Sequence, residues 1–298
     1  MKKITSIAAF ILAAAMLSGC GDSSSSNSDS KAADTSSAAQ TTADTESEPQ
    51  ESSSQEEQKA PTYKSIKLMT FGDSITDGFW LEGGYRTFLA NELEENGLSQ
   101  YVDFVGSKKG GQCYDNEHEG YSGFSICRIQ DSITGARMGI DKLLPKRVEK
   151  YQPDVLTLMI GTNDLLSNYE LDKAGERLEG VVDSAFEKLP EGALLILATI
   201  PDMDADAKLP TPDASGQDTY IDQATFTAES MDKCVKEYNE KVAALVEKKK
   251  GEGKNIVLAD VHSVLTKADL YDGVHPSEEG YKKLADFWYG VILEQITE

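Results

Sequence analysis

The residue types that turn an alcohol into a nucleophile occur in this chain at separated positions. Ser74 lies in Phe71-Gly72-Asp73-Ser74-Ile75-Thr76-Asp77-Gly78, and a carboxylate and an imidazole lie in Asp272-Gly273-Val274-His275-Pro276. A hydroxyl is a weak nucleophile near its free pKa and needs an adjacent base. His275 can take the Ser74 proton on attack and return it to a leaving alcohol. Asp272, three residues earlier and separated by a glycine turn, can meet the imidazole Nδ1–H, fix its tautomer and stabilise the imidazolium. Attack on a carbonyl creates an oxyanion, which needs preorganised donors. The backbone N–H groups of Ser74 and Gly123 and the side-chain amide of Asn163, in Gly161-Thr162-Asn163-Asp164, can supply three. Each stretch has a plainer use. Gly, Asp and Ser are ordinary turn residues, Asn163 or Asp164 could cap a helix, and His275 could cap the last helix, whose start Pro276 and Ser277 mark. Their joint occurrence after successive predicted strands is the stronger signal.

Those groups have to be carried by elements that end at one edge. Ile66 to Phe71, Tyr101 to Gly106, Val155 to Ile160, Ala193 to Ile200 and Asn255 to Val261 read as buried strands. Between them lie helical patterns through Tyr85, Phe88, Leu89 and Leu93, through Leu178 to Leu189, and through Met231 to Leu245. A further pattern runs through Ile129, Ile133, Ile140, Leu144 and Val148, weakened by Gly135 and Gly139, and a last one uses Tyr281, Leu284, Trp288 and Ile292. The alternation predicts an α/β fold, a three-layer α/β/α sandwich on a five-stranded parallel sheet in flavodoxin-like order 2-1-3-4-5. Ligands in such folds bind outside the carboxyl ends of the strands. Residues 107 to 122 read as a polar loop at that end, and residues 201 to 225 as an unusually long one.

The chain carries a net charge of -22 over 298 residues, which repels nucleic acid and anionic surfaces and leaves a neutral substrate unaffected. Met1-Lys2-Lys3, the apolar run Ile4 to Leu17 and Leu17-Ser18-Gly19-Cys20 read as a signal over 1–19 of the bacterial lipoprotein kind, with Cys20 as the lipidated residue. The expected location is therefore the cell surface, with membrane contact only through that anchor. Residues 20–62 are Ser, Thr, Ala, Gln and acids and read as a disordered tether; the folded domain is expected over 63–298. Cys113, Cys127 and Cys234 fall inside it, and Cys113 and Cys127 could be bridged or Cys127 could be core. No cysteine pair has the spacing of a zinc site.

The constellation resembles the GDSL/SGNH hydrolase family. Gly72-Asp73-Ser74-Ile75 looks like its first block, Gly123 its second, Gly161-Thr162-Asn163-Asp164 its third and Asp272 to Pro276 its fifth. The resemblance implies Ser74 as nucleophile, His275 as base, Asp272 as its orienter, an oxyanion hole of Ser74, Gly123 and Asn163, and no cofactor. The Gly-x-Ser-x-Gly elbow of ordinary α/β-hydrolases is absent. Gly83-Gly84-Tyr85-Arg86, Val102 to Gly106, His118-Glu119-Gly120-Tyr121-Ser122-Gly123 and the tail from Gly280 to Tyr289 look like carbohydrate esterase family three, the acetylxylan esterases. The implied substrate is an acetylated polysaccharide or another neutral ester, with Asp73, Trp80, His118 and Tyr121 as candidate contacts. Trp80 could stack on a sugar ring or pack in the core. Hydrolysis of longer acyl esters, as by a lysophospholipase, and non-catalytic glycan binding are the alternative activities.

Overall fold

The computed structural model describes residues 61–212 and 216–298. The expected signal and almost all of the tether, including Cys20, lie outside the described residues. Strand β1 (Ile66–Gly72) is the centre of the sheet, and every residue but Lys67 is buried. A strand covered on both faces has to be apolar throughout, which is why it reads as a continuous run rather than an alternation. On one side β1 pairs in parallel with β5 (Val155–Met159), which continues to β6 (Leu194–Ala198) and β7 (Ile256–Ala259). On its other side it is shared. Its first half pairs with β2 (Val102–Phe104), its last two residues with β4 (Glu117–Gly120).

The five expected strands therefore stand in the expected order, but the sheet has seven strands and is mixed. The additions are β3 (Lys108–Lys109), antiparallel to β4, and β4 itself, both within the stretch expected to be loop. Their charged sequences hide them. Buried Glu119 in β4 is satisfied by Ser107, Tyr121 and Arg147, so a carboxylate can occupy a strand position inside.

Two helical layers cover the sheet. Helix α2 (Gly84–Glu95) packs on α7 (Glu278–Ile296), with Tyr85 stacked on Trp288. Helices α3 (Leu144–Tyr151), α5 (Ala174–Phe186) and α6 (Ala228–Gly251) form the other layer. Short helices α1 (Ser74–Asp77) and α4 (Thr162–Leu166) begin where β1 and β5 end. The helix expected from Ile129 to Val148 is not formed along its length. Only α3 is helical, and residues 123–143 make a strap held by bridges between Ser125 and Gly139 and between Ile129 and Arg137. Ile129 and Ile140 are buried by the strap's two limbs, while Ile133 at its tip is exposed, so their helix-like spacing is coincidental. Cys113, Cys127 and Cys234 are free thiols, which settles the question of a Cys113–Cys127 bridge.

Candidate active site

Ser74 follows β1 directly, at the first position of α1, with Asp73 as N-cap accepting from the Ile75 N–H at 3.0 Å. The turn is tight enough that a Cβ on Gly72 would lie 2.5 Å from the Met159 carbonyl oxygen of the neighbouring strand. His275 comes from the other end of the chain, on a turn between Leu270 and Pro276 that closes through Tyr271 N–H to His275 O at 2.7 Å. Gly273 in that turn has φ +88°, and a side chain there would meet the Asp204 carbonyl oxygen at 2.5 Å, so glycine is required. Ser277, not His275, caps α7, accepting from the Gly280 N–H.

The three side chains meet in one line. His275 Nε2 is 2.8 Å from Ser74 Oγ, and His275 Nδ1 is 2.8 Å from Asp272 Oδ2. Asp272 Oδ1 accepts from the N–H groups of Val274 and His275, so both its oxygens are committed. Burial works to raise the Asp272 pKa, but these hydrogen bonds and the imidazole outweigh it and hold it below the ordinary carboxylate value. Asp272 thus stays ionised and selects the tautomer with a proton on Nδ1. That leaves Nε2 as an acceptor for the Ser74 proton.

Asn163 stands in the first turn of α4, just past the end of β5, the strand that pairs with β1. Its Nδ2 donates to Phe124 O at 2.8 Å and its Oδ1 accepts from Arg137 Nη1 at 2.8 Å, so its side chain does not cap α4. Arg137 Nη1 also reaches Gly123 O at 3.2 Å, which brings the two expected oxyanion residues together. Gly123 has φ +79°, and its N–H donates to no protein acceptor among the described residues. The arrangement can therefore polarise an acyl oxygen from the Gly123 and Asn163 donors while Ser74 attacks. Asp164 is buried behind it, held by the Ile126 N–H and Arg177.

The expected substrate contacts divide. Asp73 and His118 are each 1 % exposed and hydrogen-bonded to the scaffold, and His118 also lines the depression beside Trp80. Burial pushes the Asp73 carboxyl up to about 6, and its Oδ2 has no hydrogen-bond partner. Burial, with Arg86 nearby, pushes His118 down to about 3, so it is neutral and its Nδ1 accepts from the Gly120 N–H. The Tyr121 hydroxyl is tied to Glu119 and Arg147. Trp80 is 39 % exposed and stands at the rim, its indole N–H donating to Pro276 O and its ring stacked 4.2 Å from Tyr271.

Sequence reasoning did not select Arg137, nor three rim aromatics. Phe79 lies 4.4 Å from the His275 ring and Tyr220 meets it edge-on at 5.2 Å, with Tyr271 completing the set. Tyr220 is delivered by the long segment after β6, which buries Met203, Ala205, Ile221 and Phe226 in the core. The length of that segment was the one available signal. An open depression of about 440 Å³ lies on one side of Phe79 and Trp80, with Asp77, Glu82, Lys109 and Ser122 in its wall. Another of about 350 Å³ lies on the Tyr220 and Tyr271 side. A larger one of about 610 Å³ lies away from the triad, between α2 and α7. Among the described residues no group of three or more His, Cys, Asp or Glu side chains is arranged to hold a metal ion.

An α/β sandwich with a Ser–His–Asp line at the carboxyl ends of its strands, and an Asn amide beside it, defines a hydrolase of the SGNH type. Residues 68–288 match the model of the GDSL-like lipase/acylhydrolases, and the chain belongs to that family of carboxylic ester hydrolases. It is 36 % identical over 245 residues to a multidomain esterase of Ruminococcus flavefaciens, covering 78 % of this chain and 28 % of that protein. The structure of a Clostridium thermocellum family 3 carbohydrate esterase matches with a TM-score of 0.55 and 30 % identity, covering 78 % of this chain and 98 % of that one. An acetyl xylan esterase of Geobacillus stearothermophilus shares the fold with a TM-score of 0.52 and 21 % identity, over 78 % of this chain and 96 % of that one.

Proposed function

We propose that the protein removes acetyl groups from a neutral polysaccharide, acetylated xylan being the leading candidate, through an acyl-enzyme on Ser74. Ser74 Oγ attacks the acetyl carbonyl as His275 takes its proton. The Ser74 and Gly123 N–H groups and the Asn163 amide receive the oxyanion. Its collapse expels the sugar alcohol, which leaves with the proton from His275. Water, deprotonated by the same imidazole, then releases acetate and restores Ser74.

The observation that carries the polymer reading is the aromatic rim. Phe79, Trp80, Tyr220 and Tyr271 are each about two-fifths exposed around a buried triad. Large rings left in water beside a reacting group suit a ligand with flat C–H faces. The polar depression beside Trp80 offers Asp77, Glu82 and Lys109 to hydroxyl groups. Both depressions are open, which suits an extended chain better than a long acyl tail. The family 3 carbohydrate esterase likeness supports the same reading. Export and a lipid anchor at Cys20 belong to it, since a polymer is met outside the cell.

The test is acetate release from acetylated xylan by the protein and by its Ser74→Ala variant. Release by the parent alone supports the reading. Cleavage of short synthetic acetyl esters with no release from xylan discards xylan and keeps the esterase. A Ser74→Ala variant as active as the parent removes the acyl-enzyme.

A further inference from the structure

The strap 123–143 places a guanidinium behind the oxyanion hole, in a position that neither turn chemistry nor core packing explains. Arg137 Nη1 donates to Asn163 Oδ1 at 2.8 Å and to Gly123 O at 3.2 Å. Its Nε donates to Ser167 Oγ at 2.8 Å and to Thr134 Oγ1 at 3.1 Å, and those two hydroxyls are 2.8 Å apart. Thr134 sits on the strap and Ser167 at the end of α4, so the guanidinium is gripped from both sides. Among the described residues no carboxylate lies within ion-pair distance of Arg137. Its ligands are neutral oxygens, two of them belonging to residues expected to bind the oxyanion.

An Asn side chain has two ends of nearly equal shape, and only one of them donates. A guanidinium donates and never accepts, so the end of Asn163 facing Arg137 has to be the carbonyl. The Phe124 carbonyl, at 2.8 Å from the other end, accepts one Nδ2 hydrogen. The second Nδ2 hydrogen is then directed by the planarity of the amide and has no freedom to turn away. With a neutral or absent partner at 137, the amide could rotate or flip and present an oxygen to the developing negative charge.

We infer that Arg137 is a positioning residue for the oxyanion hole, which locks Asn163 and Gly123 in the donating orientation and backs them with an unpaired positive charge. It touches no reacting atom. Its effect reaches the acyl oxygen through the polarised Asn163 amide, and is felt when the oxyanion forms rather than when the ester binds. The inference rests on ester hydrolysis at Ser74 but not on the polymer. It is therefore tested on a short synthetic acetyl ester, whose cleavage is independent of any glycan.

The experiment compares the protein with Arg137→Met, Asn163→Ala and the double variant, with Ser74→Ala as the background control. Removing one oxyanion donor lowers kcat by about 100- to 1,000-fold, and Asn163→Ala should fall in that range. Arg137→Met should lower kcat by about tenfold or more, up to the Asn163→Ala loss, with KM within about twofold of the parent. In the Asn163→Ala background the same change should cost several-fold less than in the parent, because only Gly123 remains to be positioned. If Arg137→Met does not fold, Arg137→Lys carries the comparison, since its single ammonium cannot hold Asn163, Gly123 and Ser167 together. A kcat within twofold of the parent, or an equal loss with and without Asn163, overturns the inference.

Discussion

Replacing Asp73 by Asn should make the protein more stable and less active, with a gain that depends on pH. Asp73 is fully enclosed, one oxygen takes the Ile75 N–H, and the other has no partner. Its pKa is raised by burial from 3.8 to about 6. Between those values the folded protein keeps a proton that the unfolded chain has lost, so raising the pH destabilises the fold; above about 6 both are ionised and the penalty is constant. At about 1.4 kcal/mol per pH unit, the charged carboxylate costs about 3 kcal/mol at pH 8 and about half of that at pH 5. Asparagine is neutral at both and caps α1 equally well. A change of about 3 kcal/mol is about 6–12 °C in Tm for a domain of this size. Thermal unfolding of parent and Asp73→Asn at pH 8 and pH 5 reads the difference directly. The expected result is a clear gain at pH 8 that shrinks by about half at pH 5. An equal gain at both pH values, or a variant less stable than its parent at pH 8, refutes the reasoning. Asp73 also lies close enough to His275 for the two charges to interact, so its loss withdraws support from the imidazolium and kcat should fall.

Two other substitutions probe the rim and the scaffold. Tyr220→Ala should lower kcat/KM on the polymer by about 2- to 12-fold, the worth of one aromatic contact, and change hydrolysis of a small synthetic acetate less; equal losses on both substrates would remove Tyr220 from glycan binding. Gly161→Ala should destabilise by about 3 kcal/mol or more, since φ is +128° and the new Cβ would lie 2.3 Å from the Tyr238 ring, whose hydroxyl is anchored on Ile160 O; denaturant unfolding measures it, and a loss below about 1 kcal/mol would contradict the packing argument.

What could be read from the sequence was what is local. Asp272 and His275 lie three positions apart on one turn, so their pairing follows from spacing. Strands β1, β5 and β6 are almost wholly buried runs, and the order of the five expected strands follows from alternation with helices. The strap was unreadable because its isoleucines are buried from two limbs of a loop, and burial at helical spacing resembles a helix. Strands β3 and β4 were unreadable because they are short and charged, and their ion pairs with Asp77 and Arg147 are visible only in three dimensions. Arg137 belongs to the same class: nothing near residue 137 names residue 163. The burial of Asp73 was hidden for a related reason. A polar residue beside a nucleophile in sequence is as often part of the turn that holds it.

The chain has two tryptophans, and the fold puts them in opposite optical environments. Trp288 is sealed between helices at 1 % exposure, while Trp80 stands in water at the catalytic mouth. The indole emission of the protein accordingly divides into a blue component from Trp288, deaf to the site, and a red component from Trp80. A neutral collisional quencher such as acrylamide reaches the second and is excluded from the first, and a chain lying across the rim shields the one it reaches. Occupancy of the mouth is thus readable from the protein's own fluorescence, without a label and without turnover.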